Sequence, residues 1–222
     1  MFNTAEAKQK RLNSGLPDSI DARVYNLVIG GLLLYGFAVN ALMVETLSGK
    51  LRVLEKPWIL LIVYLVLVIC GTLLARSESP IISFLGYNLI VVPIGLLLTL
   101  TLPNYPRREV MSAIIVTGAV VVIMICAAML KPNFFIKLGR TLFFALLVGI
   151  VGNFVAMLLG YGGNVFNWAF VIIFSLYIGF DWSRAQVYPK TLDNAVDSAI
   201  DLYLDIINIF IRILSIMSRS DD

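Results

Sequence analysis

Residues Ser198–Met217 read SAIDLYLDIINIFIRILSIM. The run has the length of a membrane span, since about 20 apolar residues cross roughly 30 Å of hydrocarbon. It nonetheless carries Asp201, Asp205 and Arg212. With Asp197 at zero on a helical wheel, Asp201 falls near ~40°, Asp205 near ~80°, Asn208 near ~20°, Arg212 near ~60° and Ser215 near ~0°. These polar residues share an arc of roughly 80°. The remaining faces are mostly Ile, Leu, Phe, Tyr and Ala. A charge at the bilayer centre costs roughly 2.5–3.5 kcal/mol on insertion scales. Three formal charges on one span cannot all face lipid, so the stripe is expected to face a bundle interior or a watery cavity.

Upstream of this run lie six uncharged apolar stretches: Val24–Val44, Pro57–Ala75, Ile81–Leu102, Val110–Leu130, Thr141–Tyr161 and Val165–Phe180. None alternates as barrel strands would. The expected fold is an all-α membrane protein of seven transmembrane helices, with the last helix central in the bundle. Residues 1–23 form a polar N-terminal tail, 24–218 the seven-helix domain and 219–222 a short C-terminal tail. Pro57 suits the first turn of the second helix, and Pro93 falls inside the third. Leu102–Pro106 is a turn, and Gly160–Gly163 a tight loop. Trp58, Trp168 and Trp182 lie near span ends, as an interfacial belt requires.

Composition agrees. Of 222 residues, 59% are hydrophobic and 14% charged, against about a quarter charged in soluble domains. The mean hydropathy is +0.91. A soluble enzyme, a nucleic-acid module, a disordered chain and a coiled coil are excluded. The net charge of +3 gives no case for a nucleic-acid partner. The chain has no His, which removes His-based metal sites and general bases. Cys70 and Cys126 sit in separate apolar runs and are read as reduced packing residues. No cleaved signal peptide is visible. Seven spans put the termini on opposite sides. With the N-terminus inside, ten lysines and arginines fall on inner segments against seven elsewhere, which favours a cytoplasmic N-terminus.

Asp205 stands 12 positions beyond Asp193, about 18 Å along a helix, and so lies well inside the membrane. Asp181 ends the sixth span at the inner interface. The short loop Trp182–Leu192 makes the last two helices antiparallel neighbours, so Asp181 and Asp205 can meet near the inner end of the bundle. Two carboxylates in one low-dielectric site cannot both ionise cheaply. They can share a proton, and a cation relieves the same repulsion. Calcium takes about six to eight oxygens, so this pair suits permeation or weak sensing rather than storage. The alternative is structural: Asp205 pairs with Arg212 or Arg76 and locks the bundle. Asp193 and Asp197 lie near the helix start, where acids suit the macrodipole. Phe143, Phe144, Phe170 and Phe174 are read as packing or lipid-facing residues.

Tyr177-Ile178-Gly179-Phe180-Asp181, followed by Ala199-Ile200-Asp201-Leu202-Tyr203-Leu204-Asp205-Ile206-Ile207-Asn208, resembles the Bax inhibitor-1 family. The continuation Ile209–Leu214 is similar to that family's last helix. The resemblance implies a central last helix and a pH-sensitive calcium leak gated by paired aspartates, here Asp181 and Asp205. It also implies an arginine at the end of the second span that engages the first aspartate; Arg76 occupies that place. Phe180 stands where the family often has Tyr. Ser215–Asp222 lacks the long basic tail of some eukaryotic members, which points to a bacterial cell-membrane protein without an apoptotic role.

The expected function is therefore a proton-gated calcium leak and not an enzyme. Asp181 and Asp205 form the gate and a weak calcium site, with Arg76 as gate partner. Asp201, Asn208, Asp197 and Arg212 are candidates for the pathway lining. The expected partners are the lipid bilayer, Ca2+ and protons, with no cofactor. A non-transporting membrane protein that modulates a partner is the alternative. An intramembrane aspartyl protease is disfavoured: its Gly-x-Gly-Asp is replaced by Leu202-Tyr203-Leu204-Asp205, and no Pro-Ala-Leu segment occurs. A retinal protein is excluded, because the last span holds no Lys.

Overall fold

The computed structural model describes residues 19–50, 57–75, 77, 79–160 and 164–218. Side chains of residues 57–61 fall outside that description. Among the described residues there are seven α-helices and no strands: α1 Ala22–Leu47, α2 Pro57–Leu74, α3 Pro80–Thr101, α4 Arg107–Leu130, α5 Pro132–Leu158, α6 Asn164–Val187 and α7 Leu192–Ser218. A 3-10 turn at Leu102–Asn104 follows α3.

Local sequence sets several helix ends. Asp21 caps α1, its Oδ1 accepting from the Arg23 N–H at 2.7 Å. Pro132 stands in the first turn of α5, where its missing N–H costs nothing. Gly160 takes φ +77° just beyond α5, a conformation that L side chains rarely adopt.

Five described segments are long and apolar enough to cross a membrane: Ala22–Leu47, Pro80–Asn104, Arg107–Leu130, Pro132–Leu158 and Asn164–Val187. Ile62–Leu74 is a shorter apolar helix. α7 fails that hydropathy criterion because it carries Asp193, Asp197, Asp201, Asp205 and Arg212. Large apolar side chains such as Leu27, Val148 and Leu158 are exposed, as suits a lipid-facing surface. In α7, by contrast, Ala195, Ala199, Leu202, Tyr203 and Ile209 are each at most 1% exposed.

Two helix limits correct the sequence expectation. α5 begins at Pro132 rather than Thr141, so Lys137 and Arg140 lie on the helix and not in a loop. Long basic side chains can lie along a helix while their heads reach water. α6 continues past Phe180 to Val187, placing Asp181 inside it and shortening the connection to Tyr188–Thr191. α7 begins at Leu192, where the loop Trp182–Leu192 and the helix-start reading of Asp193 put it.

The chain divides into two compact units. The first comprises residues 1–98 and 185–200. Polar contacts tie its helices together: Tyr25 Oη lies 2.9 Å from Ser198 Oγ, and Gln186 Nε2 donates to Asn26 Oδ1 at 3.0 Å. Ser83 Oγ donates to Asp193 Oδ1 at 2.6 Å. Gly71 and Gly86 let α2 and α3 touch: a Cβ at Gly86 would lie 2.6 Å from Ala75 N and 2.7 Å from Gly71 O. In the connection before α7, the Lys190 ammonium donates to Ala185 O at 2.8 Å and lies 4.5 Å from the centre of the Tyr25 ring. Partial burial holds that ammonium below the usual lysine range.

The second unit comprises residues 99–184 and 201–222. Here α5 and α6 interlock through glycines. A Cβ at Gly179 would lie 2.3 Å from the Phe135 ring, and one at Gly139 would lie 2.6 Å from the Phe180 ring. Each helix thus seats an aromatic ring on the other's glycine, which fixes the segment of α6 that carries Asp181.

Candidate functional site

The site lies within the second unit and is built from α6 and α7. Asp181 and Arg184 are three residues apart on α6, so they share a face. Arg184 Nη2 lies 2.6 Å from Asp181 Oδ1. The same nitrogen pairs with Asp201 Oδ2 on α7. One guanidinium therefore bridges the two helices. Its carbon also lies 5.0 Å from the centre of the Phe180 ring, which limits its movement.

Asp205 follows Asp201 by one turn and is 6% exposed. Its carboxyl lines the same cavity as those of Asp181 and Asp201. Asp205 Oδ2 is buried and has no hydrogen-bond partner among the described residues. Asp181 is equally buried, at 6%. Arg184 pairs with Asp181 and Asp201, and Asp205 lines the same cavity. With all three carboxyls ionised, the site would hold an excess of negative charge around the buried Asp181 and Asp205, and a proton or a cation offsets it.

A cavity of about 450 Å³ opens beside the cluster. Asp181, Arg184, Asp201 and Asp205 form its acidic end. Phe170, Phe174, Tyr177 and Phe180 line its wall from α6. Asn208 and Arg212 continue the lining along α7, and Leu146 and Ile150 contribute from α5. Beyond Asn208, Arg212 donates to Asn167 Oδ1 at 3.1 Å, and Asn167 Nδ2 donates to Ser215 Oγ at 3.1 Å. Among the described residues no group of three or more His, Cys, Asp or Glu is arranged to hold a metal ion.

Of the residues singled out in the sequence, Asp181, Asp201, Asp205, Asn208 and Arg212 line one cavity. Asp197 is half-buried on the part of α7 that belongs to the other unit, and it does not line the cavity. Arg76 lies outside the described residues. Arg212 does not pair with Asp205; its polar partner is Asn167. The sequence reading missed Arg184, which it counted as a loop cation because α6 was ended at Phe180. The Asp181–Arg184 spacing of three was the available signal. Phe170 and Phe174, read as packing or lipid-facing, stack on each other and also stand on the cavity wall. Phe143 and Phe144 are exposed, as expected of lipid-facing rings.

The family model described as Inhibitor of apoptosis-promoting Bax1 matches residues 18–222. An uncharacterized protein of Helicobacter pylori strain J99 is 28% identical over 199 residues, covering 85% of each chain. An uncharacterized membrane protein of Streptococcus pyogenes serotype M1 is 28% identical over 214 residues, covering 90% of this chain and 92% of its own. The protein named LIFEGUARD 2 of Arabidopsis thaliana is 26% identical over 170 residues, covering 74% of this chain and 70% of its own. No solved structure matches.

Proposed function

This chain belongs to the Bax inhibitor-1 family of membrane proteins, and on that premise we propose that it is a passive, proton-sensitive calcium leak. The observation that supports this reading is that Asp181 and Asp205, each only 6% exposed, line one cavity of about 450 Å³. Such a pair exchanges a proton for a cation with little rearrangement, because both relieve the same repulsion. Arg184, bridging Asp181 and Asp201, is the closed-state lock in this proposal. Arg76 is a second candidate lock, carried from the family's pattern. Asp201, Asn208 and Arg212 line the path, and calcium is the cargo rather than a resident cofactor. Asp181 and Asp205 supply too few oxygens to hold calcium tightly, which suits passage. The protein works in a bacterial cell membrane with its N-terminus in the cytoplasm.

Calcium entry into liposomes containing the purified protein tests this. Entry above that into empty liposomes, rising and falling with pH, is the expected result. No entry from protein with intact helix content favours a non-transporting protein that acts on a membrane partner, with the aspartates serving as structural pairs.

A further inference from the structure

We propose that the Arg212 end of the cavity binds the phosphate headgroup of an anionic membrane lipid. Arg212 is part-buried on α7. It donates to the neutral Asn167 Oδ1 at 3.1 Å, and its guanidinium carbon lies 4.5 Å from the centre of the Phe170 ring. Among the described residues no carboxylate pairs with it, and the ion pairs of the second unit belong to Arg184. A charge withdrawn from water requires a counter-charge or full hydrogen bonding, and one amide and one ring supply only part of that. The guanidinium carries five N–H donors in a planar fork that matches phosphate oxygens. Arg212 itself stands on the cavity wall.

Access points to a lipid. Ile150 lines the cavity and is also 52% exposed, between the exposed Leu147 and Val151. The cavity therefore opens on a lipid-facing surface, and a headgroup can enter from the side with its chains left outside. The acidic cluster stands about 10 Å further along α7 and repels phosphate, which confines the headgroup to the Arg212 end. Basic pockets between membrane helices hold lipid headgroups in this manner. The inference stands on Arg212 and its surroundings and does not depend on calcium passage.

The test uses the full chain, purified in detergent and offered phosphatidylglycerol or phosphatidylcholine of identical acyl chains. Native mass spectrometry counts the lipid retained. Wild type is expected to retain one phosphatidylglycerol in preference to phosphatidylcholine. Arg212→Gln should lower that retention about tenfold, the effect of losing ~1.4 kcal/mol of affinity. Arg212→Lys should keep part of it, and millimolar inorganic phosphate should not displace the lipid. Equal retention by wild type and Arg212→Gln overturns the proposal. Displacement by inorganic phosphate also overturns it, by making the site one for soluble oxyanions. If Arg212→Gln loses helix content, the wild-type preference decides, and equal retention of the two lipids is the contrary result.

Discussion

Asp205 sets the terms at the scale of single residues. A carboxyl 6% exposed, beside a second carboxyl, is a standing cost in a membrane helix. Arg184 offsets part of that cost by holding Asp181 and Asp201 together. The pairs are only part-buried, with the Arg184 side chain 24% and that of Asp201 41% exposed, so their loss costs less than the roughly 3–5 kcal/mol of a fully buried pair. Arg184→Gln is expected to raise calcium leak at neutral pH severalfold. Arg184→Lys should fall between, because it keeps the charge on a shorter, more flexible stem than the guanidinium whose Nη2 meets both carboxylates. A leak equal to wild type in Arg184→Gln removes this residue from the lock, and Arg76→Ala measured alongside would then identify its substitute. The aspartates were legible in the sequence because formal charges inside apolar runs are costly and rare. Arg184 was not, because hydropathy marks where apolar residues stop and not where hydrogen-bonded turns stop. The Asp181–Arg184 pair lets α6 run on for two further turns.

At the scale of elements, glycine contacts decide how closely helices approach. The Gly71–Gly86 contact in the first unit is backbone against backbone. A methyl at Gly86 has no flexible neighbour to push aside, so Gly86→Ala should destabilise the protein by about 1–3 kcal/mol, the usual cost of overpacking. At Gly179 the obstacle is the buried Phe135 ring, so Gly179→Ala should be destabilising in wild type and milder in a Phe135→Ala background. Gly118 has nothing within 4 Å of a built Cβ, so Gly118→Ala should be neutral or stabilising. Thermal unfolding in detergent, followed by helix content, measures all three. If Gly86→Ala and Gly118→Ala behave alike, close packing at Gly71–Gly86 is not a determinant of stability. The existence and order of all seven helices were readable from apolar run length. Their ends were not: α5 begins nine residues before Thr141 and α6 ends seven after Phe180. In both, charged or polar residues extend the helix beyond its apolar segment.

At the scale of the whole molecule, α7 contributes to both compact units, its first part to one and the part from Asp201 onward to the other. The charged stripe read from the sequence accordingly divides. Asp201, Asp205, Asn208 and Arg212 share a cavity, whereas Asp197 belongs elsewhere. A helical wheel reports angle alone, and the cavity has a finite length. In our proposal all seven helices cross the membrane, which puts the two ends of the chain on opposite sides with the N-terminus cytoplasmic. A membrane-impermeant thiol reagent on intact bacterial cells should label Ser218→Cys and spare Ser19→Cys, in a background with Cys70 and Cys126 replaced by Ser. The opposite labelling would invert the orientation.

The pairing of Asp181 with Asp205 is best tested by calcium entry into liposomes holding wild type, Asp181→Asn or Asp205→Asn between about pH 6 and 8, a range in which buried carboxyls can titrate. We expect entry that depends on pH in wild type and loses that dependence in both variants. Entry that follows pH in Asp205→Asn just as it does in wild type would contradict an aspartate-gated leak.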